Sequence, residues 1–173
     1  MNDSQPSNTQ PIEQFWQSYL ASLPAGQAAR YTRQPEAWGF GDDQEMADEL
    51  GNLVADGIKT ATCSLVWEYE AGNEPIPQVG DLSIILDGRG LPLCIIETTQ
   101  IRVMPFSQVD AAFAYDEGED DRSLQSWREG HLRFFGRSCR QIGKELDEQM
   151  PVVCERFHKV WPVTSDGGRN GKN

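Results

Sequence analysis

The chain has 173 residues, 38% hydrophobic and 24% charged, which suits one domain with a real core. Its formal net charge of −12 argues against a protein that grips nucleic acid mainly through phosphates, because such binding draws on Lys and Arg to release counterions. The largest apolar runs, "LSIIL" and "PLCII", are far short of the roughly 20 residues that span a bilayer, and "MNDSQPSNTQP" has neither the basic nor the apolar region of a signal peptide, so a cytoplasmic protein without membrane contact is expected.

In chain order, residues 1–10 and 164–173 are polar and read as disordered tails around a single domain at 11–163. "PIEQFWQSYLASLP" places Ile12, Phe15, Trp16, Tyr19, Leu20 and Leu23 at the spacing of an amphipathic helix, opened by Pro11 and closed before Pro24. A second helix is signalled by "DDQEMADELGNLVADG": Asp42 and Glu45 form a capping box, Met46, Ala47, Leu50, Leu53 and Val54 a buried stripe, and Gly57 the left-handed cap. From Thr60 the period changes to 2, with Thr60, Thr62, Ser64 and Val66 on one face of a strand and Ala61, Cys63, Leu65 and Trp67 on the other. Further strands are expected in "DLSIIL", "LPLCIIETT", "QIRVMP" and "PVVCERFHKVWPV". Between the last two come a short helix near "SQVDAAFAY", the acidic run "DEGEDD", read as an exposed loop, and a longer helix carrying Leu124, Trp127, His131, Leu132 and Phe135. Several short strands with helices before and among them imply an α+β domain built on a small barrel-like sheet, with Trp16, Leu50, Leu53, Leu65, Ile84, Ile95 and Phe157 in the core. Exposed strand edges in so short a barrel make a homodimer plausible.

Few residues offer obvious chemistry. Cys63, Cys94, Cys139 and Cys154 are widely spaced with no C-x-x-C, and His131 and His158 lack close ligand partners, so no metal or cofactor is expected. Alternation puts Cys63 beside Ala61, Leu65 and Trp67, as a buried inert thiol. Arg128, Arg133, Arg137, Arg140 and Lys144 recur on one side of the long helix, either as a solvated face or as a basic groove.

Lys59, just past the helix-ending Gly57 in "GIKTATCS", has two accounts. The plain one is a cation meeting the negative end of the helix macrodipole. The functional one makes a desolvated Lys59 the base for a Thr60 or Thr62 hydroxyl, with Glu97, which interrupts the apolar run "LCIIETT", as the orienting carboxylate.

The ordered set "GDDQEMADELGNLVADGIKTATCS", "VGDLSII", "LCIIETTQIRVMPFSQVD", "EGEDDRSLQSWREGHLRFF" and "CERFHKVW" resembles the ASCH domain family, particularly bacterial members with a helical insert before the last strand. The resemblance implies a PUA-like β-barrel flanked by helices, with the G-x-K-x-x-T stretch on the wall of a cleft. Some small ASCH proteins are amidohydrolases that deacetylate N4-acetylcytidine through a lysine, a threonine and a glutamate; carried over by motif, these are Lys59, Thr62 and Glu97. Others are thought to bind or cleave RNA. The enzyme reading therefore implies a small nucleoside substrate, and the alternative an RNA partner stacked on Trp67, Tyr69 or Trp127 and held by Arg128, Arg133 and Arg137.

Overall fold

In a computed structural model that describes residues 9–163, the stripe of the first helix, α1 (Thr9–Ser22), buries Trp16 and Tyr19 against Ile84 and Ile95 of the sheet. The polar tails lie outside the described residues, except that Thr9 and Gln10 belong to this helix. A short strand that the sequence pattern did not announce, β1 (Glu36–Trp38), precedes α2 (Gln44–Ala55). Asp43, one position later than expected, caps α2 by accepting from the Met46 N–H at 2.8 Å. Beyond the helix Gly57 adopts φ +74°, which lets the backbone N–H groups of Ile58 and Lys59 both donate to the Leu53 carbonyl, at 2.8 and 3.0 Å. Lys59 is thereby pinned to the helix end.

β2 (Ala61–Leu65) shows the expected alternation, with Ala61, Cys63 and Leu65 buried and Thr62 and Ser64 half-buried. It stops two residues earlier than its apolar pattern suggests. The Glu68 carboxylate reaches back to the Leu65 N–H at 3.3 Å, and Val66 starts α3 (Val66–Gly72) instead of extending the strand. After β3 (Leu82–Leu86), the segments read as two strands form one, β4 (Pro92–Pro105), because a register shift between Thr98 and Gln100 carries the polar "TTQ" through without breaking the ladder. The insert follows as α4 (Ala111–Glu117) and α5 (Leu124–Gln141), and β5 (Pro151–Trp161) closes the domain.

The strands form one sheet in the order β1-β3-β4-β5-β2, antiparallel except for the parallel β1–β3 pair, curled into a half-barrel. With five helices around it the fold is α+β. Three apolar clusters cover it: α1 on Ile84 and Ile95; α2 with Phe40 on Ile85, Cys94, Ile96 and Phe157; and α4 with α5 on Ala61, Cys63, Leu65, Val152 and Cys154. Of the expected core, Trp16, Leu65, Ile84, Ile95 and Phe157 are buried, whereas Leu50 and Leu53 are half-buried. No helix of the described residues is long and apolar enough to cross a membrane.

Candidate functional site

Lys59 is 1% exposed, which no surface helix-capping lysine would be. Its Nζ donates to Glu117 Oε2 at 2.7 Å and to Glu119 Oε1 at 2.5 Å, and it stands 5.2 Å from the centre of the Phe40 ring. Burial alone would push the ammonium toward neutrality, but the two carboxylates outweigh it and hold the Lys59 pKa above its ordinary value. Lys59 is thus a fixed cation, not the neutral base that burial by itself would make.

Glu117 sits on the inward stripe of α4 with Phe113 and Ala114, at the last position before the helix ends at Gly118. Gly118 has φ +74°, and a Cβ there would lie 2.7 Å from the Ile58 carbonyl oxygen, so only glycine lets the end of α4 press on the turn that carries Lys59. Glu117 Oε1 accepts from the Trp127 indole N–H at 2.8 Å and faces His131 Nε2 at 3.3 Å. Burial resists the Glu117 charge, yet Lys59 and His131 drive its pKa far below the usual carboxylate range. His131 Nδ1 meets the Trp127 carbonyl at 2.9 Å. With acceptors at both ring nitrogens the imidazolium is favoured, and the His131 pKa is raised by Glu117 against the opposing effect of burial. Two cations and two carboxylates make a balanced buried quartet, of which Glu119, 30% exposed, is the member nearest solvent.

Cys63 borders this quartet. Its Sγ, a Glu117 oxygen and a His131 nitrogen lie within 4.8 Å of one another, a set that could hold a divalent ion only by displacing the N–H groups that Glu117 already accepts. Burial, reinforced by Cys154 across the ladder, holds the Cys63 thiol well above its ordinary pKa.

The other face of β2 carries Thr62 and Ser64. Thr62 is paired in register with Glu155 of β5, which is 5% exposed and accepts from Thr98 Oγ1 at 2.5 Å. Ser64 Oγ and the Tyr69 hydroxyl share a 2.9 Å hydrogen bond. Burial raises the Glu155 pKa.

The structure does not place Glu97 with Lys59. β5 runs between β4 and β2, and Glu97 turns toward the α1 layer, where its charge is felt by Tyr19 and its carboxylate stands 3.9 Å from His158 Nε2. The carboxylates that meet Lys59 come instead from the acidic run read as an exposed loop: Glu117 and Glu119 turn inward, and Asp116 binds Arg156 at 2.8 Å. Among the residues considered for stacking and cation contacts, Trp127 is buried between Phe106 and His131, with ring centroids 5.2 and 4.2 Å away. Trp67 is half-buried under Lys144, and Tyr69 is bound to Ser64. Arg128 donates to the Ser107 carbonyl, Arg137 is paired with Asp42 at 2.8 Å, and Arg133 is exposed.

Glu117, Glu119 and Glu155 are the site residues that sequence reading passed over. A signal existed for two of them. Phe113, Ala114 and Glu117 share one helical stripe, and Glu155 holds an inward position between Val153 and Phe157 in a strand of period 2.

A family model, the ASCH domain, matches residues 36–161. Among solved structures, an ASCH domain from Lactobacillus crispatus JV V101 is similar with a TM-score of 0.80 and 35% identity, covering 87% of this chain and 94% of that one. A protein from Enterococcus faecalis V583 is similar with a TM-score of 0.78 and 34% identity, over 95% of this chain and 98% of that one. No curated protein matches the chain. The half-barrel, the helix end that delivers Lys59, the insert that supplies its carboxylates and the match over most of the described residues lead to one conclusion: the chain belongs to the ASCH domain family.

Proposed function

We propose that the protein is an amidohydrolase acting on a small acylated nucleoside of the N4-acetylcytidine type. The observation that supports this most is the Lys59 ammonium, fixed by a buried Glu117 and bound as well by the partly exposed Glu119. Such an ammonium suits an acyl oxygen that gains negative charge in the transition state. When a substrate displaces Glu119 from Lys59, that carboxylate becomes the general base. Water adds to the acyl carbon and gives its proton to Glu119, the oxyanion rests on Lys59, and Glu119 returns the proton to the leaving nitrogen as the C–N bond breaks. The products are the carboxylic acid and the free amine. Glu97, beside His158, and Thr62, on the face of β2 opposite Cys63, have no part in this reading.

The RNA-binding alternative has less support, since Trp127 is enclosed, Arg137 is paired with Asp42 and the net charge is −12. The test is a screen of N-acylated nucleosides with the wild type and Glu119→Gln. Turnover that falls by roughly a hundredfold or more in the variant, measured at a temperature where both proteins are folded, is the expected result. Equal turnover in both, or none for any acylated nucleoside, sinks the reading.

A further inference from the structure

The polar row on the far face of β2 is not used by the reaction above. It runs from the Tyr69 hydroxyl to Ser64 and Thr62 on β2, to Glu155 on β5 and to Thr98 on β4. Glu155 is its unusual member. A carboxyl that is 5% exposed is costly without a cation or several donors, and among the described residues its hydrogen-bonding side-chain partner is the single hydroxyl of Thr98. The charged and titratable groups near it bring no compensation: Asp81, before β3, is acidic and Tyr69, on α3, is neutral. Tyr69, at one end of the row, also lines an open cavity of about 480 Å³ with Asn73, Glu70 and Glu74, so the surface beside that end is acidic too. Lys59, a cation of the other cluster, is spoken for by Glu117 and Glu119.

We propose that this row is a separate ligand-contact site for a nitrogen group rich in N–H donors, an amidinium, amine or amide, with Glu155 as its principal acceptor and the Thr62, Ser64 and Tyr69 hydroxyls beside it. Such a group supplies the donors that Glu155 lacks. An anion of the same shape meets only Glu155, Glu70, Glu74 and Asp81 and is repelled.

Acetamidine, acetamide and acetate have nearly the same shape and carry charges of opposite sign or none, so they separate charge from size. Titrated into the full chain and followed by amide NMR, acetamidine shifts the signals of Thr62, Ser64, Tyr69, Thr98 and Glu155, acetamide shifts them less, and acetate leaves them in place. Glu155→Gln weakens acetamidine binding by tenfold or more and Thr62→Val, a half-buried isosteric change, by several-fold, while Glu97→Gln has no effect. The proposal is overturned if acetate shifts the same signals as acetamidine, if the shifts are confined to the acidic loop around Asp120 and Asp121, or if both Glu155→Gln and Thr62→Val bind as the wild type does. Because acetamidine is not a substrate, the outcome is separate from that of the hydrolase reading: binding at the row without nucleoside turnover leaves this site standing, and turnover with an unresponsive row leaves only the reaction.

Discussion

Lys59 Nζ and Glu117 Oε2 are 2.7 Å apart, each side chain is 1% exposed, and 58 positions of sequence separate them. Neither charge has water to fall back on. Removing the cation leaves Glu117 buried with His131 and Trp127 as its remaining partners, and Lys59→Met is expected to cost about 3–5 kcal/mol. Adding Glu117→Gln to that variant removes the stranded charge and recovers part of the loss. Urea denaturation of the two variants beside the wild type checks both; a Lys59→Met protein as stable as the parent would show that the pair carries little net weight.

The same cluster gives stability a pH window. His131 has a raised folded pKa, so its contribution is complete below the unfolded value of about 6.5 and is lost as pH climbs through the folded one. Glu117 has a depressed folded pKa, so its contribution is present above roughly 4.3 and is lost as pH falls through the folded one. Melting temperature measured from pH 5 to 9 should therefore decline on the alkaline side, and His131→Gln should flatten that decline. A decline identical in the variant would assign it to other groups.

Two glycines separate conformational strain from steric contact. Gly57 and Gly118 share φ +74°, but a Cβ at Gly57 meets nothing within 4 Å, whereas one at Gly118 lies 2.7 Å from the Ile58 carbonyl oxygen. Gly57→Ala is expected to cost about 1 kcal/mol, for the left-handed backbone alone. Gly118→Ala should cost at least twice as much, about 2–4 kcal/mol, because α4 must also retreat from the turn that holds Lys59. Chemical denaturation of the pair decides it, and equal losses would mean that the loop yields freely.

All four cysteines are buried, and burial raises the thiol pKa of Cys63 and Cys94, the latter to about 11. In the native protein a thiol-reactive disulfide reagent should react with them at least about a hundredfold more slowly than in the unfolded chain. One rapidly labelled cysteine under native conditions would place a thiolate where burial says there is none.

The fold was legible wherever one face of an element is buried. Trp16 and Tyr19 on α1, and Ala61, Cys63 and Leu65 on β2, are placed by periodicity alone. Local polar chemistry misled it: Glu68 ends β2 early, and the bulge near Thr98 hides the continuity of β4. For the site, Lys59 stood out because a cation follows a helix-ending glycine, yet its partners did not. Glu117 and Glu119 lie in a run whose composition matches a solvated loop, and only the approach of α4 to Ile58, permitted at Gly118, turns them inward. Glu97 drew notice as a carboxylate in an apolar strand, a pattern that does not tell which layer that carboxylate faces.

β4 and β5 share the longest ladder in the sheet, from Ile95–Trp161 to Pro105–Pro151, with all of residues 106–150 lying between the two strands in sequence. During synthesis β4 emerges well before its principal partner. Until β5 leaves the ribosome, the edge of β4 that will bond it is bare, β2 has no neighbour at all, and the apolar residues Val152, Val153 and Phe157 have yet to arrive. A chain with this connectivity can pair β1, β3 and β4 early but acquires the β4–β5–β2 part of its sheet late, through contacts that are distant in sequence. Its nascent form is consequently exposed to strand-edge association between the emergence of β4 and that of β5, and truncation that removes β5 should yield aggregation rather than a smaller folded domain.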